Sequence, residues 1–227
     1  MEMNKNEFIA KISPIAVQLR LEGSPIFPSV RIAQSALETG WKIPPWNNLG
    51  GIKVGSGKPN PWWDGSSVNK KTWEVINGQR VDTSANFRAY KSVYHFYKDQ
   101  DLLFQLPRYE RVRKSKTPEQ QADMLYECGY ATDPQYAQKI KNIMNSYGLK
   151  KYDKEVEAVL QELRKQIDQL TKRLNALEQK PEQTVADWAK DAQTWAVRLG
   201  ISDGTRPRDL VTRQEVWAML HRYDRLR

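Results

Sequence analysis

The stretch KTWEVINGQRVDTSANFRAY, residues 71–90, stands out because it is patterned as β-structure in a chain that is otherwise patterned as helix. β-Branched and aromatic residues lie on both sides of Asn77-Gly78, a dipeptide that favours the left-handed conformations of a two-residue hairpin turn. The stretch therefore predicts two short antiparallel strands, with Glu74 on the first of them.

Helical periodicity is found on both sides of the predicted hairpin. Apolar residues recur at spacings of three and four from about residue 7 to 41, and GSPIFPS (23–29) divides that region into two helices. Residues 42–70 are rich in Gly, Pro, Asn and Trp and predict a loop. Residues 92–148 return to helical spacing, with breaks at two prolines and at GYATDP. Residues 1–150 thus predict an α+β domain with a helical core and one hairpin.

Two further segments follow, residues 151–180 and 181–227. A heptad seam through EVEAVLQELRKQIDQLTKRLNALEQK predicts a coiled-coil helix that joins copies of the chain through residues 154–179. A spacer helix that packs on its neighbours is the alternative. The last segment predicts a small unit of two helices, and Thr212 begins the second helix with a capping box.

Composition limits the class of protein. No run of about 18 apolar residues occurs, and the first residues include acids without a long apolar region, so we expect neither membrane insertion nor a signal peptide. The single cysteine, Cys128, and two distant histidines predict no disulfide, metal or cofactor site. Residues 1–150 hold 21 Lys and Arg against 14 Asp and Glu. This excess fits an anionic partner such as nucleic acid or an acidic wall polymer, or simply a solvated basic surface.

Glu38 lies at the end of the apolar stretch QSALETGW (34–41), just before Gly40. Cleavage of a glycosidic bond requires a carboxylic acid that partial burial keeps protonated near neutral pH, and usually a second carboxylate across the cleft. Glu38 and Glu74 offer such a pair from two different elements. A glutamate in the last turn of a helix is also commonly a solvated residue, and on the residues alone that alternative stays open.

Six motifs in sequence carry a resemblance to a known family. They are IAQSALETGW (32–41), NNLGGIK (47–53), KTWEVINGQRV (71–81), FRAYKS (87–92), RYERV (108–112) and GYATDPQYAQKI (129–140). Their order and spacing resemble those of the bacterial endo-β-N-acetylglucosaminidases of glycoside hydrolase family 73. The resemblance implies a lysozyme-like fold and hydrolysis of the β-1,4 bond between N-acetylglucosamine and N-acetylmuramic acid in peptidoglycan, without nucleic acid as a partner.

The resemblance also implies roles for particular residues. Glu38 would be the general acid, and Glu74 would activate water or stabilise an oxocarbenium-like transition state. Tyr130 would line the cleft near the reacting sugar, with a core aromatic as the alternative. The substrate-binding candidates are Asn48, Trp62, Trp63 and Tyr136. For the two tryptophans, which could stack on sugar faces, packing of a loop is the alternative.

Two positions depart from the common family pattern. Gly50 stands where NLFGIK has a phenylalanine, and Asp99-Gln100 stands where an Asp-His pair is frequent. Neither departure replaces Glu38 or Glu74, and neither is adjacent to them in the sequence. We expect the departures to affect subsite affinity and substrate preference rather than the reaction.

The C-terminal stretch WAKDAQTWAVRLGISDGTRPRDLVTRQEVWAML resembles a single S-layer homology motif. Such motifs anchor proteins to secondary polymers of Gram-positive walls, usually in sets of three. The resemblance implies that Trp188, Arg206, Arg208 and Arg213 bind an anionic wall polymer, and association through residues 154–179 would supply additional copies.

Taken together, these features predict an endolysin of a phage that infects a Gram-positive host. It would be made in the host cytoplasm without a signal peptide and act at the cell wall after holin-type release. Three alternatives stay open: a lytic transglycosylase, an N-acetylmuramidase, and a non-catalytic wall-binding or scaffold protein.

Overall fold

The computed structural model describes residues 4–76, 79–178 and 184–226, and for residues 72–76, 79–82, 177 and 178 it describes the backbone alone. The chain divides into two compact units, Met1–Leu163 and Arg164–Arg227.

The first unit is built of helices and one two-stranded sheet. In chain order its elements are α1 (Lys5–Leu21), α2 (Pro28–Thr39), β1 (Ser67–Ile76), β2 (Gln79–Arg88), α3 (Val93–Phe104), α4 (Glu110–Arg113), α5 (Pro118–Glu127), α6 (Tyr136–Ser146) and the first part of α7 (Lys150–Glu178). A 3-10 turn, Pro107–Tyr109, precedes α4. The predicted α+β architecture, mainly helical with one hairpin, is confirmed.

Helix α2 is the centre of this unit, because every residue from Pro28 to Ala36 is buried. Its N-terminus has no capping side chain of its own, and two distant side chains take that place. Asp153 of α7 accepts a hydrogen bond from the Ser29 amide (2.9 Å), and Gln121 of α5 accepts one from the Phe27 amide (2.8 Å). These long-range bonds satisfy amides that a helix start otherwise leaves without partners.

The hairpin pairs in a regular antiparallel register, from Ser67 with Arg88 to Ile76 with Gln79. The predicted turn residues, 77 and 78, lie outside the described residues. At the end of the hairpin away from the turn, the loop after α2 forms backbone hydrogen bonds with β2. The Val54 amide donates to the Asn86 carbonyl (2.8 Å), and the Arg88 amide donates to the Ile52 carbonyl (2.9 Å). The base of the hairpin is thereby fixed beside the end of α2.

Helix α7 changes its environment along its length. Val156 is 3% exposed, whereas the later seam residues Leu163, Ile167, Leu170 and Leu174 are 47–60% exposed. The predicted helix over this segment is confirmed, and association of copies through residues 154–179 stays a prediction.

The second unit contains the end of α7, a 3-10 turn at Asp187–Ala189, α8 (Lys190–Arg198) and α9 (Arg213–Asp224). The capping box predicted for α9 is confirmed: the Glu215 amide donates to the Thr212 hydroxyl (3.2 Å), and the Thr212 amide donates to the Glu215 carboxylate (2.7 Å). Gly200, with φ of 68°, follows α8 in the left-handed conformation that its position predicts.

None of the helices among residues 4–76, 79–178 and 184–226 combines the length and the hydrophobicity that a membrane span requires. In the same part of the chain, no group of His, Cys, Asp and Glu side chains is arranged to hold a metal ion.

Candidate active site

The candidate site is an open cleft at the C-terminal end of α2. Glu38 is the last residue but one of this helix, which ends at Gly40 in the left-handed conformation (φ 60°). The cleft has a volume of about 410 Å³. Its lining comes from α2, the following loop and the base of the hairpin: Glu38, Thr39, Lys42, Pro44, Trp46, Asn48, Gly51, Lys70, Lys71 and Phe87. Among the lining residues whose side chains the structure describes, Glu38 is the one carboxylate.

Glu38 is an exposed residue at the cleft, but the protein atoms around its carboxyl group partly remove that group from water. This desolvation raises the pKa of Glu38 above the usual value for a glutamate. A hydrogen bond from the Tyr136 hydroxyl to Oε1 (2.7 Å) acts in the opposite direction on the pKa, because it stabilises the charged form. A carboxyl group in this environment can stay protonated at a higher pH than a solvated glutamate can.

Tyr136 contacts the candidate acid, and its predicted contact with substrate stays a prediction. It is the first residue of α6, and its ring is buried. Gln34, one turn before Glu38 on α2, donates a hydrogen bond to the Tyr136 hydroxyl (3.1 Å). Burial and the nearby Glu38 charge raise the pKa of Tyr136, so its hydroxyl keeps its proton and acts as a hydrogen-bond donor.

Behind Gln34 the polar contacts continue into the core. Gln100 of α3 donates to the Gln34 side-chain carbonyl (3.3 Å) and accepts from the Arg31 guanidinium (3.1 Å). Arg31 is fully buried, ion-paired with Asp101 and bonded to the Ser24 hydroxyl (2.7 Å). Gln100, one of the two departures from the family pattern, therefore lies in a chain of hydrogen bonds that ends at Glu38.

Tyr130 lies beside the cleft, where its hydroxyl donates to the Gly50 carbonyl (3.3 Å) and accepts from the Gln100 amide (3.2 Å). Its ring stacks on that of Tyr136, with centroids 6.1 Å apart. Gly50, the other departure, leaves room for this hydroxyl, since a Cβ at position 50 would lie 2.8 Å from it. Tyr130 thus has structural partners in the core, and contact with a sugar stays a prediction.

Asn48 lines the cleft and also fastens the loop beside it. Its amide group donates to the carbonyls of Ile52 and Arg88 (both 2.9 Å), and its oxygen accepts from the Ile52 amide (3.0 Å). The oxygen also accepts from the Gly50 amide (3.4 Å), so the loop uses both amide hydrogens and both lone pairs of the oxygen, and contact of Asn48 with a substrate stays a prediction.

The sugar-stacking role predicted for Trp63 is wrong. Trp63 is 2% exposed, its ring is covered by the Arg88 guanidinium (4.1 Å to the centroid), and its Nε1 donates to the Ser66 carbonyl (2.7 Å). The alternative, packing of a loop, is the observed one. Trp62 is half-buried against Tyr94 and His95, outside the lining of the Glu38 cleft, and its role in binding stays a prediction.

Trp46 and Phe87 are aromatic residues of the cleft lining that were not predicted as site residues, and Trp46 is the larger of the two. It lies in the cleft lining, half-buried, with the Lys70 ammonium 4.5 Å from its ring centroid. Its place directly before the NNLGGIK motif (47–53) was the available signal, because the motif's asparagines fix the loop that carries it. The Tyr90 amide donates to the Trp46 carbonyl (2.9 Å), which holds this loop against the end of the hairpin.

Asp99, which precedes Gln100 on α3, links α3 to the hairpin through hydrogen bonds. Its buried carboxylate accepts hydrogen bonds from Arg88 (2.8 Å), Tyr90 (2.6 Å) and Asn60 (2.7 Å). The base of the hairpin, which forms one wall of the cleft, is held in place by these contacts.

Glu74 lies on β1 opposite Val81 in the backbone register. Its side chain lies outside the part of the chain whose side chains are described, so its predicted role stays a prediction. The four predicted polymer-binding residues are all in the second unit. Trp188 is 87% exposed and the three arginines are exposed, with Arg208 donating to the Thr184 carbonyl (3.1 Å).

Comparison with known proteins covers the first unit. The sequence model of the Glucosaminidase family, described as mannosyl-glycoprotein endo-beta-N-acetylglucosaminidase, matches residues 15–149. The peptidoglycan hydrolase FlgJ of Escherichia coli K12 is 36% identical over 146 residues, which are 60% of this chain and 45% of the relative. The exo-glucosaminidase LytG of Bacillus subtilis is 34% identical over 156 residues, 64% of this chain and 52% of the relative. The match therefore spans about half the length of these relatives.

A crystal structure of a peptidoglycan hydrolase mutant from Sphingomonas sp. A1 matches with a TM-score of 0.54 and 33% identity, covering 64% of this chain and 96% of that one. This match confirms the lysozyme-like fold of the first unit. Residues 184–226 lie outside the region that the family model matches. Because that model matches more than half of the chain, the protein belongs to the Glucosaminidase family.

Proposed function

We propose that the protein hydrolyses the β-1,4 bond between N-acetylglucosamine and N-acetylmuramic acid in peptidoglycan, with Glu38 as general acid. The observation that carries this proposal is the environment of Glu38. It is the carboxyl group among the lining residues of an open cleft, with a raised pKa and a hydrogen bond that fixes one of its oxygens. Membership of the Glucosaminidase family and the names of its relatives, a peptidoglycan hydrolase and an exo-glucosaminidase, support the same substrate.

In this proposal Glu38 gives its proton to the glycosidic oxygen as the bond to the anomeric carbon breaks. Water then adds to the anomeric carbon and loses a proton to a base. Glu74 on β1 is the proposed second carboxylate, either as that base or as a charge that stabilises the oxocarbenium-like transition state. The substrate's own 2-acetamido group can replace an enzyme nucleophile in such reactions, and the stereochemistry of the product separates these routes.

End-group analysis of the products tests the bond that is cut. Purified peptidoglycan is digested with wild-type protein and with Glu38→Gln, the fragments are reduced with borohydride, and mass spectrometry identifies the reduced ends. Reduced N-acetylglucosamine from the wild type alone supports the proposal. Reduced muramic acid would indicate a muramidase, anhydro ends a transglycosylase, and binding without any products a wall-binding protein.

The mode of attack is a separate question, since the matched family is described as endo-acting and LytG as an exo-glucosaminidase. We propose endo-cleavage, because the family model that matches residues 15–149 is described as that of an endo-acting enzyme. An early fall in mean glycan length, measured by size-exclusion chromatography, is expected. Steady release of disaccharides from long chains would contradict endo-cleavage.

For the second unit we propose binding to an anionic wall polymer through Trp188, Arg206, Arg208 and Arg213. The exposure of the tryptophan ring and of the three guanidinium groups supports this, because planar cations bind phosphate and carboxylate groups well. Replacing the three arginines with glutamine is expected to reduce sedimentation with walls. Chemical removal of the polymer is expected to lower sedimentation of the wild type to the level of the variant and to leave the variant unchanged, whereas an equal loss in both would contradict polymer binding through the arginines.

We also propose that copies associate through the exposed seam of α7, which would raise the avidity of the second unit. Sedimentation equilibrium of Leu170→Glu against wild type tests this, and a wild-type monomer at micromolar concentration would contradict it. We also propose that the protein acts as an endolysin. This role predicts that the purified protein clears suspensions of Gram-positive cells and that Glu38→Gln does not.

A further inference from the structure

We propose that Arg31, Gln100 and Gln34 are positioning residues that fix the direction of the Tyr136 hydroxyl, so that Oε2 of Glu38 carries the proton for transfer. This inference rests on the proposed function of Glu38 as a general acid. It adds roles for three buried residues, none of which lines the cleft.

The direction of every hydrogen bond in this chain follows from its first member. A guanidinium group only donates, so the Gln100 atom that faces Arg31 at 3.1 Å must be the amide oxygen. The Gln100 nitrogen then faces the side chain of Gln34 at 3.3 Å, which must present its oxygen there. An amide whose oxygen is used in this way presents its nitrogen on the other side.

The hydrogen bonds continue from Gln34 to the carboxyl group of Glu38. The Gln34 nitrogen donates to the Tyr136 hydroxyl oxygen at 3.1 Å. Because the hydroxyl has a single hydrogen and this contact uses its oxygen as acceptor, the hydrogen is directed to Oε1 of Glu38 at 2.7 Å. Oε1 is then an acceptor, and a proton on the carboxyl group occupies Oε2.

Without this orientation the hydroxyl could rotate and accept a hydrogen bond from Oε1 instead. The proton of the acid would then lie between Glu38 and Tyr136, inside the protein and away from the glycosidic oxygen. The residues lie on α2, α3 and α6, and Arg31 is held by Asp101, by the Ser24 hydroxyl (2.7 Å) and by the Tyr97 ring (4.6 Å).

The departure at position 100 is consistent with this role. The family pattern commonly has a histidine where this chain has Gln100. A neutral imidazole has one acceptor and one donor nitrogen, as the glutamine side chain has one acceptor and one donor group. Either residue can accept from Arg31 and donate to Gln34, so the direction of the chain is preserved.

Other ionisable groups face Glu38 from each neighbouring element. They are Tyr136 on α6, Tyr130 before α6, Lys42 on the loop after α2, and Lys70 and Lys71 on β1. Glu74 is also on β1. Substitution of Gln34 removes none of these groups, so a change in the titration of Glu38 in such a variant is attributable to the lost hydrogen bond from Gln34 to Tyr136.

The test compares Gln34→Met with Gln121→Met in the full chain. Gln34 is 1% exposed and Gln121 0%, and Gln121 makes bonds to Phe27, Pro25 and Val112 that do not lead to Glu38. Carbon-13 NMR gives the pKa of the Glu38 carboxyl group, and the basic limb of the pH–rate profile on peptidoglycan gives the same quantity during turnover.

Loss of the orienting donor weakens the bond that stabilises the Glu38 carboxylate. In Gln34→Met we expect the pKa and the basic limb to move up by about 0.5–1 unit, with kcat at the optimum reduced roughly tenfold. Gln121→Met is expected to lower Tm without changing the pKa of Glu38 or the position of the basic limb. An unchanged pKa and limb in folded Gln34→Met would overturn the inference.

If Gln34→Met does not fold, position 100 provides the second comparison. Gln100→His is expected to keep the basic limb of the wild type, and Gln100→Leu to move it upward. Equal limbs in both variants would overturn the inference. Glu38→Gln separates it from the proposed function: an active Glu38→Gln would contradict the general acid itself, whereas the NMR titration tests the hydrogen-bond chain independently of turnover.

Discussion

The two compact units of the chain differ in how they use their apolar residues. In Met1–Leu163, side chains such as Phe8 are fully buried, and the helices pack around α2. Among the described side chains from residue 164 onward, Ile201 is the one buried hydrophobic, and Trp217 and Leu220 are at least 60% exposed. A general acid needs neighbours that hold it within a fraction of an ångström, and the first unit provides them. The second unit offers exposed aromatic and cationic groups instead.

The largest expected contrast is in stability. Phe8→Ala, which leaves a cavity in the first unit, is expected to lower the free energy of unfolding by about 3–5 kcal/mol. Trp217→Ala, at a residue that is 63% exposed, is expected to lower it by less than about 1 kcal/mol. Denaturant unfolding followed by circular dichroism measures both. Similar costs for the two variants would contradict the contrast between the units.

A smaller effect is expected from close packing behind the cleft. The added methyl group of Gly50→Ala would lie 2.8 Å from the Tyr130 hydroxyl, so the substitution is expected to cost about 1–3 kcal/mol. Tyr130→Phe removes the hydroxyl oxygen with which the new methyl group would clash.

A double-mutant cycle checks this assignment. In the Tyr130→Phe background, Gly50→Ala is expected to cost less than it does in the wild type, and the difference is the coupling energy. Additive costs would show that the clash lies elsewhere, for example at Phe96.

Separating the units should affect binding rather than chemistry. A chain that ends at Leu163 is expected to keep kcat/KM on soluble glycan fragments within about twofold and to lose activity on intact walls, because it lacks the contacts with a wall polymer that we propose for the second unit. The measurement is the ratio of the two activities. Parallel loss on both substrates would mean that the second unit supports the fold of the first.

The smallest expected effect is the change in folding stability that follows from ionisation of Glu38. Desolvation raises the pKa of Glu38 in the folded chain, so the folded state binds its proton more tightly than the unfolded state does. Ionised Glu38 therefore disfavours folding at pH values above the raised pKa, and this penalty is absent below about pH 4, the ordinary range for a glutamate.

Thermal melts test the sign of this linkage. Glu38→Gln keeps the shape of the side chain and cannot ionise, so its Tm is expected to be higher than that of the wild type at pH 8 and equal to it at pH 3. A lower Tm for the variant at pH 8 would contradict the raised pKa.

Much of the fold could be predicted from the sequence, because the signals are local. The break between α1 and α2, the hairpin strands and the capping box of Thr212 and Glu215 each depend on residues within a few positions of one another. The position of Glu38 at the end of α2 follows from the apolar spacing and from Gly40. These features are set by backbone preferences that act over one or two turns.

The internal arrangement of the site could be predicted only in part. Gln34 lies four residues before Glu38, so helical spacing places both on one face, and that signal was available. Gln100 and Tyr136 contact this face across 66 and 102 positions, a distance over which periodicity gives no information. Trp63 and Trp46 have similar loop contexts, and packing alone decides which of them faces the cleft.

The most direct test of the central claim is the initial rate of reducing-end release from purified peptidoglycan by Glu38→Gln, with Gln121→Met as a matched control at a buried residue outside the site. Loss of general acid catalysis is expected to reduce the rate of Glu38→Gln by about 10²–10⁴-fold while its melting curve remains cooperative, and the control should keep at least a third of the wild-type rate. A Glu38→Gln rate within about threefold of the wild type would contradict the assignment of Glu38 as the catalytic acid.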